Sequence, residues 1–389
     1  MHIGIDASSW DNERGFGRFT RSLIEALAAR DTGYRYTMLF DQPPERPVPS
    51  GITTLIAGAG QSMAEASSGT GARGGADMLG MMKAARRLTC DVFFYPAVYS
   101  YYPLISRTPT VICFHDTIPE RFPDLIFPSR RNFRLWQAKI WLAKWQASRV
   151  MTVSQASAED LVGMLGIDRD RIDLTTEGAE PLFQPVADPG RRVAVRARYG
   201  IAADVPLLVY VGGFNRHKNV LRLIEAMPLI LASCPEAHLA IVGRTTGARF
   251  WDNVDELKAG ASQDARVSDR ILFTGEIDDA AMAELMAASQ ALVMPSLWEG
   301  FGLPALEAMS CGTPVLASDR GSLPEVVGPA GLFFNPEDVG ALAAQAVALL
   351  NDPALQGRLS VAALQRSQDF GWDKAAALAE ASFRQAARR

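Results

Sequence analysis

The sequence predicts two doubly wound α/β domains. Short apolar runs alternate with helical patterns along most of the 389 residues, and such alternation implies parallel sheets with helices on both faces. The runs fall into two series, one in each half of the chain, which suits a length of two average domains. A stretch rich in proline, Gly178-Ala179-Glu180-Pro181-Leu182-Phe183-Gln184-Pro185, parts the two series.

In chain order, the first series places strands at Ile3–Ile5, Tyr36–Phe40, Thr53–Ile56, Val92–Tyr95, Thr110–Phe114 and Val150–Val153. The second places them at Leu207–Val211, His238–Val242, Ile271–Phe273, Ala291–Met294, Pro314–Ala317 and Gly331–Phe334. Helical spacing fills Phe19–Ala29, Arg191–Tyr199, Val220–Leu231, Ala280–Ala287 and Gly340–Leu350. The Ala-rich segment 372–389 reads as a terminal helix. The expected domains are therefore 1–183 and 184–371, with the terminal helix returning toward the first.

Composition narrows the function classes. A hydrophobic content of 48% beside 21% charged residues is that of an ordinary globular chain. The net charge of −4 gives no reason to expect a nucleic-acid partner. Residues 1–150 nevertheless carry 18 Lys and Arg against 13 Asp and Glu, so the remainder is markedly acidic. Cys90, Cys113, Cys234 and Cys311 form no CxxC pair, and the four histidines are dispersed, which argues against structural zinc and for reduced thiols. The N-terminal residues lack the charged-then-apolar pattern of a secretory leader, and no apolar run reaches membrane-spanning length. The expectation is a cytoplasmic protein.

The most informative stretch is Glu299-Gly300-Phe301-Gly302-Leu303-Pro304-Ala305-Leu306-Glu307. Two carboxylates stand eight positions apart, separated by a glycine-bracketed turn that opens a helix. Glycines let backbone N–H groups approach a ligand, and the helix N-terminus adds roughly half a positive charge. The pair of effects suits a phosphate or diphosphate. Glu307, about two turns into the helix, suits a ribose diol; Glu299 stands at the loop tip, beside whatever the diphosphate carries.

With its flanks, Pro295-Ser296-Leu297-Trp298 before and Ala308-Met309 after, then Cys311-Gly312-Thr313-Pro314-Val315, this stretch resembles the E-x7-E signature of glycosyltransferase family 4. These are retaining enzymes of the GT-B fold, and the resemblance covers nearly the whole chain. It implies two Rossmann-like domains facing across a cleft, with the nucleotide sugar held mainly by the C-terminal one and the acceptor by the N-terminal one. By resemblance, Glu299 contacts the transferred sugar, Glu307 binds the ribose hydroxyls, and Gly300, Phe301, Gly302 and Leu303 supply backbone donors.

Further residues take roles the same way. Val211-Gly212-Gly213-Phe214-Asn215-Arg216-His217-Lys218-Asn219 resembles the family loop in which a basic pair grips the diphosphate. Arg216 and Lys218 would stabilise charge growing on the leaving group, so no metal or other cofactor is required. Gly213 belongs to the same donor loop. Gly15 and Gly17, separated by Phe16, resemble the N-terminal glycine loop that precedes the helix starting near Phe19. His115, at a strand end, matches the position beside the reacting sugar carbon, and Asp116 is assigned to an acceptor or sugar hydroxyl. Gly243, Arg244 and Ile277 match the surroundings of the base. The implied reaction is a front-face displacement through an oxocarbenium-like state, with the departing phosphate taking the acceptor proton.

Two segments stay open. Residues 58–75, rich in Gly, Ala and Ser, read as a flexible loop or as a lid over an acceptor. Residues 130–145 are basic and aromatic. Phe133, Trp136 and Ile140 share one helical face, and Trp141 and Trp145 share another with Arg130 and Arg134. The second face suits a membrane interface, as for an enzyme extending a polyprenyl-linked glycan; the alternative is core or interdomain packing. The leading function is hexosyl transfer from a nucleotide sugar to a glycan in surface polysaccharide synthesis, with GDP-mannose the first choice of donor and a UDP-sugar the second. An epimerase or hydrolase of nucleotide sugars, and a binding subunit without activity, are the competing readings.

Overall fold

A computed structural model describes residues 1–13, 15–58, 75–245 and 253–388. The expected loop 58–75 thus lies almost wholly outside the described residues. The chain forms two units, Met1–Glu177 with Gly371–Arg389, and Gly178–Phe370. The first division falls at Glu177, six residues before the expected 183, so the proline-rich segment belongs with the second unit.

The first unit holds a parallel sheet of seven strands: β1 (His2–Asp6), β2 (Arg35–Phe40), β3 (Thr53–Ile56), β4 (Val92–Tyr95), β5 (Thr110–Cys113), β6 (Arg149–Thr152) and β7 (Ile172–Leu174). Their spatial order is β3-β2-β1-β4-β5-β6-β7. The sequence reading has no strand at β7. That strand is three residues long, Ile-Asp-Leu, too short to show a period, and it pairs at the sheet edge with Val150–Thr152 of β6. The second unit holds six parallel strands: β8 (Leu207–Val211), β9 (His238–Val242), β10 (Ile271–Gly275), β11 (Ala291–Met294), β12 (Val315–Ser318) and β13 (Gly331–Phe334), ordered β10-β9-β8-β11-β12-β13.

The central strands are buried along their whole length, Val-Phe-Phe-Tyr in β4 and Leu-Leu-Val-Tyr-Val in β8, as parallel strands covered on both faces must be. The terminal helix Trp372–Ala387 packs on the first unit. Phe383 meets Phe94 edge to face at 5.1 Å, and Arg30 pairs with both Asp373 and Glu380. In each sheet the strand order reverses between neighbours, β1/β4 in the first and β8/β11 in the second. Open α/β sheets bind ligands beyond the carboxyl ends of strands at such a reversal. The loops after β8 and β11 are those of Arg216–Lys218 and Glu299.

Candidate active site

In the second unit the two loops at the strand reversal are tied together. Asn219 holds a left-handed backbone (φ 59°), a conformation its short polar side chain tolerates. From there its amide Nδ2 donates to Pro295 O at 2.9 Å and Pro336 O at 2.8 Å. The Leu297 N–H donates to His217 O at 2.8 Å. These bonds bring Lys218 Nζ to 2.8 Å from both carboxylate oxygens of Glu299. Ser296 Oγ donates to Glu299 Oε1 at 2.6 Å. Glu299 is only 6% exposed. Burial works to raise its pKa, but the Lys218 charge and the bonds from Lys218 and Ser296 outweigh it and hold the carboxyl below its ordinary value. Sequence reasoning assigned Lys218 and Glu299 separately to ligand; the structure shows them as a pair.

Beyond Glu299 the chain turns through Gly302 (φ +92°) into the helix Leu303–Ser310. It is this left-handed backbone that calls for glycine; a Cβ there would also press on the tip of Leu323, 2.7 Å from Cδ2. Gly302 has no side chain to cap the helix, whose positive end is left to the loop. Gly300, Phe301 and Leu303 are buried around this turn, with Phe301 edge-on to Phe370 at 5.6 Å. Glu307 lies on the same helix and is 1% exposed.

Of the remaining second-unit candidates, Arg216 points to the surface and pairs with Glu256 at 3.0 Å. Gly213 follows β8, its carbonyl accepting from the Tyr210 hydroxyl at 2.6 Å. Gly243 packs so closely that a Cβ would lie 2.4 Å from Gly212 O, which is a structural reason for glycine there. Arg244 forms an exposed pair with Glu276 at 3.0 Å, and Ile277 is half-buried just after β10. His217, not singled out from the sequence, is buried with Nδ1 lacking a hydrogen-bond partner among the described residues. Burial first, and the Lys218 charge second, bring its pKa down to about 4.

In the first unit, His115 Nε2 lies 2.9 Å from Pro96 O, a contact that fixes the N–H on Nε2 and leaves Nδ1 an acceptor. Its ring meets Phe19 edge-on at 4.6 Å, and burial brings its pKa down to about 4, so it is neutral at pH 7. Asp116 Oδ1 accepts from Ile118 N–H at 2.9 Å and from the Tyr99 hydroxyl at 3.2 Å, opening the short helix Ile118–Arg121. The two glycines expected in a loop before the first helix lie within that helix. Gly15 and Gly17 stand inside the first turn of the helix Gly15–Ala29, four residues earlier than its expected start. Gly17 is there because a Cβ would come within 2.0 Å of Asn12 O, while Gly15 has open space beside it.

The helix Arg130–Gln146 divides as its periodicity predicts. Ile140 is buried and Trp136 half-buried, its indole N–H donating to Glu120 Oε1 at 2.6 Å. Trp141 and Trp145 are 59% and 75% exposed, and Arg130 and Arg134 share that exposed face. Core packing of these two tryptophans within the first unit is thereby excluded. No helix among the described residues is long and apolar enough to cross a membrane. Among the described residues, no three His, Cys, Asp or Glu side chains group to hold a metal.

Two parallel doubly wound sheets, of seven and six strands, are the architecture of the GT-B fold. The comparisons give the family. The model for glycosyl transferases group 1 matches residues 192–366, and that for glycosyltransferase family 4 matches residues 14–180. An O-antigen chain mannosyltransferase B from Escherichia coli is 31% identical over 267 residues, 68% of this chain and 67% of that one. A D-inositol 3-phosphate glycosyltransferase from Xylanimonas cellulosilytica is 34% identical over 61% of this chain, a match spanning little more than half (56%) of that relative. The solved structure of sucrose-phosphate synthase from Thermosynechococcus elongatus shares the fold, with a TM-score of 0.78 at 24% identity over 99% of this chain and 98% of that one. The protein belongs to glycosyltransferase family 4 (group 1).

Proposed function

We propose that this glycosyltransferase moves a hexosyl group, mannose from GDP-mannose in the first instance, to a glycan or lipid-linked glycan acceptor with retention and without a divalent metal. The observation that carries the reading is the Lys218–Glu299 pair at 2.8 Å beside the uncapped end of the helix Leu303–Ser310. Lys218 supplies a point charge to the leaving diphosphate. Arg216 adds a second, its surface pair with Glu256 being weak enough to exchange for phosphate. Glu299, kept ionised at neutral pH, accepts a sugar hydroxyl, and Glu307 the ribose diol. The loop Gly300–Leu303 and Gly213 line the diphosphate, with Gly243, Arg244 and Ile277 toward the base. In the first unit His115, as a neutral imidazole, serves the transferred sugar, and Asp116 serves an acceptor hydroxyl.

The mannosyl donor is favoured by the name of the E. coli relative, and a UDP-sugar is the alternative. Donor consumption with and without a glycan acceptor, in the presence of EDTA, tests the reading. Acceptor-dependent release of the nucleoside diphosphate, with an α-linked product from an α-linked donor, supports it. Acceptor-independent turnover favours a hydrolase or epimerase instead.

We also propose that the face carrying Arg130, Arg134, Trp141 and Trp145 rests on an anionic membrane surface, where a lipid-linked acceptor is presented. Large exposed indoles beside arginines combine interfacial burial with charge complementarity to anionic headgroups.

A further inference from the structure

The loop that carries Glu299 is gripped from behind by the residues following β12. Ser322 is fully buried, and its Oγ donates to Phe301 O at 2.8 Å and Glu299 O at 3.0 Å, a shared bond. The Ser322 N–H also donates to Glu299 O at 3.2 Å. Ser318 Oγ donates to Ser296 O at 2.7 Å, fixing the root of the same loop. Gly321 (φ +60°) fits because a Cβ would lie 2.7 Å from Glu299 O and 3.0 Å from Glu299 N. Two consecutive-but-one carbonyls, 299 and 301, are thus drawn to one side. In a trans peptide the C=O and the following N–H point in opposite directions. Holding the Phe301 carbonyl inward therefore turns the N–H of Gly302 outward, on the side away from Ser322.

We propose that Ser322 is a positioning residue that presets the 301–302 peptide plane for the diphosphate of the donor. This rests on the donor-site reading above. The serine never touches the ligand; it fixes the direction of the peptide dipole that does. Two flexible glycines flank Phe301, so without the grip the peptides would rotate and their ordering would fall to the ligand. The monophosphate of the same nucleoside keeps its ribose contact with Glu307 and reaches less of the loop. The device is therefore specific to the diphosphate.

The test is calorimetric affinity for GDP against GMP, and UDP against UMP, in EDTA, with thermal midpoints measured alongside. Ser322→Ala is expected to weaken diphosphate binding about fivefold, the worth of one hydrogen bond, with monophosphate binding nearly unchanged. Ser322→Cys, close in size with a weaker donor, should fall between and covers the case in which the alanine variant does not fold. Thr313→Ala removes a buried side-chain bond of 2.8 Å to Met286 O elsewhere in the unit, and should lower the midpoint without altering the diphosphate-to-monophosphate ratio. An unchanged ratio in the folded Ser322 variants, or an equal loss in Thr313→Ala, overturns the proposal. A wild-type protein that binds no nucleoside diphosphate fails the donor-site reading itself, a result distinct from either.

Discussion

Replacing Lys218 by methionine leaves the Glu299 carboxylate buried with the Ser296 hydroxyl as its remaining hydrogen-bond donor among the described residues. At 2.8 Å the pair attracts by about 6 kcal/mol at an effective dielectric of ~20, and desolvation takes back much of this. Breaking a buried pair from one side costs roughly 3–5 kcal/mol. Lys218 is partly exposed, with a quarter of its side chain open to water, so the expected loss is nearer 2–3 kcal/mol at pH 7. The sign with pH follows from the direction of the shift. In the wild type Glu299 titrates below its ordinary 4.5, so its contribution is present above that value and is lost as pH falls through the folded pKa. In Lys218→Met the largest opposition to burial is gone, with only the Ser296 bond and the His217 ring left against it, so the carboxyl shifts upward and acidification relieves the variant. The gap between the two should therefore narrow from pH 7 to pH 4. Urea denaturation at both pH values, extended to Glu299→Gln and the double variant, measures it. A coupling energy of about 2 kcal/mol at pH 7 is expected. Single effects that simply add, or a gap that does not change with pH, would refute the buried-pair account.

Other expectations are equally direct. His115 and His217 have folded pKa values of about 4, below their ordinary 6.5, so stability should decline as pH falls from 6.5 toward 4 and flatten below, which thermal midpoints against pH will show. Glu120, pushed up to about 7 by burial, works the other way: its stabilising protonated form is lost between pH 4.5 and 7, and Glu120→Gln should make the protein relatively more stable above pH 7. Gly17→Ala sets a methyl against the Asn12 backbone and should cost more than about 2 kcal/mol in denaturation, whereas Gly15→Ala, with open space, should cost nothing or stabilise the helix. Trp141→Ser with Trp145→Ser should lower sedimentation with anionic vesicles at least tenfold, with the folded stability changed by less than about 0.5 kcal/mol. Equal binding by the double variant would remove the membrane face.

The parts legible in the sequence are those written locally. β8 and β11 are continuous apolar runs ending in glycine- or proline-led turns, and the E-x7-E stretch carries its turn and its helix in adjacent residues. What stayed hidden depends on contacts between distant residues. Lys218 and Glu299 are 81 positions apart, Asn219 reaches Pro336 across 117, and Ser322 grips Glu299 across 23. A serine or asparagine bonding a remote carbonyl leaves no periodicity to read. Gly15 and Gly17 read as loop because glycine is a poor helix former, yet Gly17 sits in a helix where it crosses the Asn12 backbone. β7, three residues long, lies below the length at which alternation can be seen.

The central claim is that the second unit binds a nucleoside diphosphate through Lys218, the Gly300–Leu303 turn and Glu307 without metal. Thermal shift with GDP, UDP and ADP in EDTA, on the wild type and on Glu307→Gln, tests it most directly. The account predicts a rise in midpoint with one base above the others, GDP first, and loss of that rise in the variant. No rise with any of the three, or a rise that appears only when magnesium is added, would contradict it.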